Sequence, residues 1–254
     1  MKRLRLEHVT RSFGGLHAVS DVDMHVEPGR VTGLIGPNGA GKSTVVNLIT
    51  GLLTLDQGRV LLEGADIAKL EPPEVARLGI ARTFQNVRLL KEASVLDNVV
   101  AGLYLQDDTS LLSKLVGLPV QRRQARDFKS RAAEQLTRFR MTEYAALLAG
   151  ELPYGHQRRV EIMRALVRQP AVLLLDEPCA GMNDAEAHVL GKAFRALAAE
   201  GLAVLLIEHN MRLVLDICDD IYVLASGKII GHGSPGEIRQ SPAVIDAYLG
   251  TTHA

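Results

Sequence analysis

Residues 31–44 read VTGLIGPNGAGKST, and this stretch decides the fold. The uncharged run VTGLIG stops at a glycine, which is typical of a buried strand. From Gly36 the sequence fits the pattern G-x-x-x-x-G-K-[ST], whose glycines let successive backbone N–H groups face a phosphate. Helical spacing begins at Ser43, so a bound anion would also lie at a helix N-terminus. The stretch therefore predicts a strand, a phosphate-binding loop and a helix, in that order.

The residue types in this loop indicate that it binds a nucleoside triphosphate together with Mg²⁺. Lys42 would reach the β- and γ-phosphates, and the Ser43 hydroxyl would be a Mg²⁺ ligand. The predicted ATP-binding residues are Gly36, Pro37, Asn38, Gly39, Ala40, Gly41, Lys42, Ser43 and Thr44.

A second apolar run, AVLLLDEP, ends in two carboxylates. Asp176, at the carboxyl end of a predicted buried strand, would hold Mg²⁺ directly or through water, and Glu177 would polarise the attacking water. An apolar run that ends in aspartate is common by itself. Because a phosphate loop precedes it here, the pair is a candidate site of ATP hydrolysis.

Two more polar residues follow predicted strands, at the edge where ligands bind in open α/β sheets. Gln85 ends GIARTFQ and would contact Mg²⁺ or the attacking water, where the core meets a helical segment. His209 ends AVLLIEH and would donate a hydrogen bond to the γ-phosphate. Taken alone, each would more often be a structural residue with its polar atoms satisfied, and the surrounding motifs favour the catalytic roles instead.

Composition and charge restrict the class of protein. The 254 residues include 29 Lys+Arg and 29 Asp+Glu, and this neutral balance gives no support to nucleic-acid binding. The uncharged stretch from Ser43 to Leu55 contains Ser, Thr and Asn, whereas a membrane span needs about 18 apolar residues. We therefore expect a chain that does not cross a membrane by itself. Cys179 and Cys218 lack metal-ligand spacing and are expected to be free thiols.

The alternation of apolar strands with helices predicts an α/β fold with a mostly parallel sheet covered on both faces. Alternating residues in LRLEHVTRSF and VDMHVEPGR predict antiparallel strands at the N-terminus. Helical spacing between Ser94 and Tyr144 interrupts the alternation and indicates an inserted subdomain. We expect one domain over 1–254, with a core at about 1–86 and 158–254 and a helical insert at about 87–157.

The order of these motifs resembles the ATP-binding subunit of an ABC transporter over essentially the whole chain. The order is the phosphate loop, Gln85, LPYGHQ, LLLDEP and His209. The flanking sequences are similar to those of subunits that energise branched-chain amino acid import, the LivG type. They read FGGLHAV, RTFQNVRLL, QRRVEIMRAL, DEPCAGMND and VIDAYLG. The resemblance implies a P-loop NTPase with a RecA-like core and an ATPase activity coupled to transport.

The resemblance also implies the cofactors ATP and Mg²⁺ and a set of partners. Two ATP-binding subunits would meet head to tail beneath two membrane permeases, and a periplasmic or extracellular binding protein would take part indirectly. The chain would lie on the cytoplasmic face of the membrane and bind no nucleic acid. Phe13 would stack on adenine, although it could equally belong to the core. Asn183 and Asp184 would contact the opposite subunit.

By the same resemblance, LPYGHQ is the signature that contacts the ATP of the partner subunit. Its residues are Leu152, Pro153, Tyr154, Gly155 and His156. In the usual signature, Leu-Ser-Gly-Gly-Gln, serine stands at the place of Pro153 and glutamine at that of His156. Proline has neither a hydroxyl nor a backbone N–H, so we expect a weakened signature with the Gly155 N–H still in place. The helix is expected to begin near Gln157.

Three alternative functions stay open at the level of sequence. One is the ATPase of a lipopolysaccharide exporter, whose subunits are broadly similar. Another is a non-transport ABC ATPase, although the single phosphate loop and the neutral charge count against it. The third is a nucleotide sensor that binds ATP without turnover, which Glu177 and His209 disfavour. The sequence leaves open the transported substrate, the choice between hetero- and homodimer, and the role of the basic cluster at 121–131.

Overall fold

The computed structural model describes residues 3–83, 87–104 and 119–249. The chain divides into unit 1, Met1–Gln85 with Ala171–Ala254, and unit 2, Asn86–Pro170. The insert expected at 87–157 lies wholly inside unit 2, which also includes the rest of the helix that follows Pro153. Among the described residues, no helix combines the length and the apolar character that a membrane span requires.

Unit 1 begins with an antiparallel sheet, as the alternating sequence predicted. Its strands are β1 (Leu4–Phe13), β2 (Leu16–Val26), β4 (Gln57–Leu62) and β5 (Ala65–Asp66), in the order β2-β1-β4-β5. The residues on alternate positions of β1 and β2 are buried, including Leu4, Leu6 and Val22. One face of the sheet is therefore apolar and packs inward.

The second sheet of unit 1 carries the predicted apolar runs. Its strands are β3 (Val31–Ile35), β6 (Ile80–Arg82), β7 (Val172–Asp176), β8 (Ala203–Ile207), β9 (Asp220–Ala225) and β10 (Lys228–Gly233). The order is β10-β9-β3-β8-β7-β6, and all neighbours are parallel except β10 against β9. All residues of β3, β7 and β8 are buried, because a central parallel strand is covered on both faces.

The described helices are, in chain order, α1 (Lys42–Ile49), α2 (Pro72–Arg77), α3 (Val95–Ala101), α4 (Pro119–Arg138), α5 (Tyr154–Leu166), α6 (Asp184–Ala199), α7 (Met211–Ile217), α8 (Pro235–Gln240) and α9 (Pro242–Leu249). One apolar cluster joins the two sheets of unit 1 with Val45, Val46 and Ile49 of α1. The helix that follows the phosphate loop is therefore packed in the centre of unit 1. Cys179 and Cys218 are both buried and form no disulfide, as expected.

Unit 2 contains α3, α4 and α5, which agrees with the helical spacing of its sequence. Asn98 on α3 is fully buried and binds the chain segment before the helix. Its Oδ1 accepts a hydrogen bond of 2.8 Å from the Leu90 N–H, and its Nδ2 donates to the Leu90 carbonyl at 2.9 Å. The Asn98 side chain therefore holds the backbone of Leu90 beside α3.

Replacing Asn98 by alanine should lower the free energy of unfolding by about 1–3 kcal/mol, because the Leu90 N–H loses its partner. Denaturant unfolding of the purified chain measures this change. The exposed neighbour Glu92 provides the control, and Glu92→Ala should alter the value by less than about 0.5 kcal/mol. If both substitutions changed the free energy of unfolding equally, the hydrogen bonds of Asn98 would contribute nothing to stability.

Candidate active site

The phosphate loop connects β3 to α1, and two of its glycines are required by close backbone contacts. Gly36 has φ 151° and Gly41 has φ 106°. A Cβ atom at Gly36 would lie 2.0 Å from the Leu224 carbonyl oxygen, and one at Gly41 would lie 2.4 Å from that of Ala18. Both distances are far inside van der Waals contact, so the loop can take this shape only with glycine at both positions.

Lys42 is the first residue of α1 and places its ammonium group on the loop. Its Nζ donates to the carbonyl oxygens of Gly36 at 2.7 Å and Pro37 at 2.9 Å. Burial lowers the pKa of Lys42, and the carboxylates of Glu177 and Asp176 oppose this shift. The N-cap Gly41 offers no side-chain hydrogen bond to the helix, so the first N–H groups of α1 keep their capacity to bind an anion.

Asp176 ends β7 and forms an ion pair that the sequence did not reveal. Its Oδ2 accepts a hydrogen bond of 3.0 Å from Arg82, whose other terminal nitrogen donates to Asn47 Oδ1 at 2.6 Å. The side chains of Arg82 and Asp176 are only 11% and 8% exposed. Arg82 therefore holds the carboxylate in place from the neighbouring strand β6. The sequence held one signal for this pair, because Arg82 is a charged residue inside the apolar run GIARTF.

Glu177 and His209, which were predicted to act together, lie side by side. His209 Nδ1 is 4.0 Å from Glu177 Oε1, and the His209 side chain is 67% exposed. Glu177 has φ 46°, a strained left-handed conformation, and its N–H donates to the Ile207 carbonyl at 2.9 Å. Such strain is concentrated at functional sites, where the surrounding structure enforces it. The strand β8 therefore positions both the carboxylate and the imidazole.

Glu208 is a buried carboxylate of the site that sequence reasoning missed. It is 1% exposed, and its two oxygens accept hydrogen bonds from different loops. Oε1 accepts from the Cys179 N–H at 2.9 Å, and Oε2 accepts from the His209 N–H at 3.2 Å. Glu208 thus links the chain after Glu177 to the chain that carries His209. Its charge at the end of an apolar strand was the signal in the sequence.

The phosphate loop and Glu177 line one cleft of about 730 Å³. Its lining residues are Leu16, His17, Ala18, Asn38, Gly39, Ala40, Gly41, Lys42, Ser43, Thr44, Glu177, Ile207, Ser226 and Gly227. Gly227, in the turn between β9 and β10, donates a 3.0 Å hydrogen bond to the Ala40 carbonyl and accepts one of 2.8 Å from the Ser20 N–H. The turn therefore fixes the phosphate loop to β2.

Phe13 lies at the end of β1, before the turn that leads to the cleft residues Leu16 and His17. Its ring is exposed, with 44% of the residue accessible, and the Arg11 guanidinium lies 4.9 Å from the ring centroid. Phe13 is thus not part of the apolar core, which was one of the two alternatives left open. The Phe13 ring lies next to the β1–β2 turn and is open to stacking by another planar group.

The signature lies in unit 2, where the helix begins earlier than expected. Helix α5 begins at Tyr154, not near Gln157, with Pro153 as its N-cap. The Pro153 carbonyl accepts from the N–H groups of His156 at 2.9 Å and Gln157 at 3.0 Å. Proline suits the start of a helix because its fixed φ matches the first turn and its missing N–H has no partner there. Gly155 and His156 therefore belong to the first helical turn, and the His156 N–H is already donated to the Pro153 carbonyl.

The remaining predicted residues have the following places. Leu152 is buried, and its carbonyl accepts a 2.8 Å hydrogen bond from the Gln157 side chain. Asn183 is the N-cap of α6 and forms a reciprocal capping box with Glu186, so Asp184 starts the helix. Gln85 lies outside the described residues. The structure thus brings the loop, Glu177 and His209 together within unit 1.

Comparison with known proteins agrees with this geometry. The ABC transporter family model matches residues 19–180, and the branched-chain amino acid ATP-binding cassette transporter model matches residues 228–254. The chain is 43% identical, over 97% of both sequences, to the high-affinity branched-chain amino acid transport ATP-binding protein BraF of Pseudomonas aeruginosa. It is also 43% identical, over 94% of both, to the protein LivG with the same description from Escherichia coli K12.

Solved structures lead to the same family. The crystal structure of an ABC transporter ATP-binding cassette in its ADP conformation superposes with a TM-score of 0.85 at 35% identity. The alignment covers 98% of this chain and 99% of the other. A nucleotide-free cassette gives the same TM-score at 36% identity. The chain therefore belongs to the ABC transporter family and, within it, to the branched-chain amino acid transport ATP-binding proteins.

Proposed function

We propose that this chain hydrolyses ATP to drive an importer of branched-chain or other hydrophobic amino acids. The observation that carries the proposal is the single cleft lined by the phosphate loop and Glu177, with His209 4.0 Å from that carboxylate. Similarity to BraF and LivG favours import over lipopolysaccharide export and over a non-transport ATPase. The site would lie on the cytoplasmic face of the membrane, beneath two permease subunits.

The residues present fit Mg²⁺, which prefers hard oxygen ligands. The Ser43 hydroxyl stands in the first turn of α1 and the Asp176 carboxylate ends β7, so both would hold the ion, with Gln85 as a third ligand. When bound, Mg²⁺ neutralises charge on the β- and γ-phosphates. Lys42 and the N–H groups of the loop would bind the same phosphates, and Phe13 would stack on the adenine.

Hydrolysis would depend on Glu177 and His209. The Glu177 carboxylate would accept a proton from the attacking water, which it orients toward the γ-phosphate. The exposed His209 imidazole would donate a hydrogen bond to that phosphate. Through its two hydrogen bonds, Glu208 would hold in place the backbone that carries Glu177 and His209.

A second ATP-binding subunit would complete the site. Residues 152–156 would contact the ATP bound by that subunit, with the Gly155 N–H and the positive end of α5 directed at its phosphates. Asn183 and Asp184 would contact the opposite subunit, and a binding protein outside the membrane would deliver the substrate to the permeases. Because Pro153 cannot donate a hydrogen bond, the site that uses this chain's signature would be the slower one.

Glu177→Gln should lower steady-state ATP hydrolysis at least a hundredfold in the assembled transporter, because the amide cannot accept the proton of water. ATP binding should persist, since the phosphate loop is unchanged. Phosphate release and nucleotide binding measure the two properties. Glu134→Gln, on an exposed position of α4, is the control and should leave both unchanged. Undiminished hydrolysis by Glu177→Gln would rule out this residue as the base.

Pro153→Ser should raise the ATPase rate of the transporter assembled with its second ATP-binding subunit. One hydrogen bond to a charged phosphate contributes about 1.5–3 kcal/mol, which corresponds to roughly ten- to a hundredfold at that site. Pro153→Ala restores the backbone N–H without a hydroxyl and should give a smaller increase. No increase with serine, or a partner whose own signature is damaged, would contradict the proposed asymmetry.

Glu208→Gln should lower kcat for ATP about tenfold or more while leaving KM nearly unchanged. Glutamine keeps one oxygen, and its NH₂ group would face one of the two backbone N–H donors, so one charge-assisted hydrogen bond is lost. Rates measured over a range of ATP concentrations separate the two constants. A change in KM alone would mean that Glu208 supports nucleotide binding instead of the alignment of Glu177 and His209.

A further inference from the structure

Three strands of unit 1 bring two imidazoles and a carboxylate close together, and the two imidazoles line a cleft that shares no lining residue with the ATP cleft. His25 lies on β2, Asp220 on β9 and His232 on β10. One nitrogen or carboxylate oxygen of each residue lies within 4.8 Å of those of the other two. The closest pair is His232 Nε2 and Asp220 Oδ2, at 2.8 Å. A metal ion could take the place of the proton that His232 and Asp220 share. His25 would then be close enough to act as the third ligand.

Tyr222 fixes the orientation of both imidazoles. Its hydroxyl oxygen is 2.9 Å from His25 Nδ1, and its ring stacks on His232 with a centroid distance of 4.0 Å and an interplanar angle of 14°. Metal-binding histidines usually have their second nitrogen hydrogen-bonded in this way, which sets the tautomer and the ring orientation.

The backbone that carries the three residues is regular sheet. Asp220 and Tyr222 are two residues apart on β9 and so project from the same face, and His232 pairs directly with Tyr222. His25 comes from β2, a strand of the other sheet. The pairing of β9 with β10 fixes Asp220 and His232 relative to each other, and the hydrogen bond to Tyr222 holds His25 beside them.

The chemistry of the ligands selects the class of ion. Two neutral imidazoles and one carboxylate suit Zn²⁺ and related divalent transition metals, whereas Mg²⁺ and Ca²⁺ prefer oxygen ligands alone. His25 and His232 line the cleft, where the His232 side chain is 42% exposed, and the Asp220 side chain beside His232 is 16% exposed. The cleft, of about 730 Å³, leaves space for water as a fourth ligand. Asp21 and Asp23 also line it, together with Arg5 and Lys228.

We propose that His25, Asp220 and His232 bind one divalent transition-metal ion of the zinc class, with water as the fourth ligand. The ion would join β2 of the four-stranded sheet to β9 and β10 of the six-stranded sheet. It would therefore stabilise the folded chain through bonds that exist only in the native structure. The site does not depend on the proposed transport function.

Calorimetric titration of the metal-free, nucleotide-free full chain with Zn²⁺ tests the proposal. We expect one ion per chain and a Kd on the order of micromolar or lower. At a hundredfold excess over Kd, Tm should rise by roughly 5–10 °C. Absence of saturable binding below about a hundred times that Kd would overturn the proposal.

Substitutions locate the ion. His232→Ala and Asp220→Asn should each weaken Zn²⁺ binding at least tenfold, and Tyr222→Phe, which keeps the stacked ring, should weaken it about tenfold. His188→Ala is the matched control, because His188 is also paired with an aspartate, Asp216, at 3.1 Å on the surface of unit 1. It should leave the Kd unchanged, and an equal loss there would refute the site.

Two further outcomes decide between this site and its alternatives. Loss of the ion in His8→Ala would place it on the neighbouring exposed cluster of His8, Asp21 and Asp23 and would overturn the proposal. If a variant fails to fold, the visible spectrum of the unsubstituted chain with Co²⁺ decides. Intense tetrahedral bands support the site, and weak octahedral bands alone exclude it.

Discussion

The site depends on two backbone carbonyl groups that contact the phosphate loop where it has no side chain. Leu224 at the end of β9 and Ala18 on β2 leave no space for a Cβ atom at Gly36 and Gly41. The loop is therefore held between both sheets of unit 1, and α1 continues from it into their shared apolar core. An anion bound at this loop is placed relative to Glu177 by the sheet itself, since β3, β8 and β7 are adjacent.

Features that depend on local sequence could be predicted. The apolar runs that begin at Val31, Val172 and Ala203 form buried parallel strands, as predicted. Each could be identified because a strand covered on both faces is apolar along its whole length. The alternating segments before Gly29 formed the antiparallel pair. Glu177 and His209 were expected to meet because both follow such strands, and the carboxyl ends of parallel strands lie at one edge.

Features that depend on contacts between distant segments could not be predicted. Asp176 pairs with Arg82, 94 residues earlier in the chain, and only the order of the strands makes them neighbours. In the sequence, Glu208 looks like an ordinary polar residue. Only the structure shows that its carboxylate accepts a hydrogen bond from the Cys179 N–H. The sequence placed the start of α5 near Gln157, whereas the helix begins at Tyr154 with Pro153 as its N-cap. His25 and Tyr222 belong to different sheets, and their hydrogen bond spans 197 residues.

The ion pair of Asp176 with Arg82 has a consequence for turnover. The Asp176 carboxylate already has a guanidinium counter-charge, so a cation that bound there with nucleotide would share or displace Arg82 instead of meeting an unbalanced negative charge. The net attraction for that cation would be smaller by the free energy of the exchange. After the cation left, Arg82 would again balance the carboxylate, so its departure would meet a lower electrostatic barrier than in a pocket whose only counter-charge was the metal.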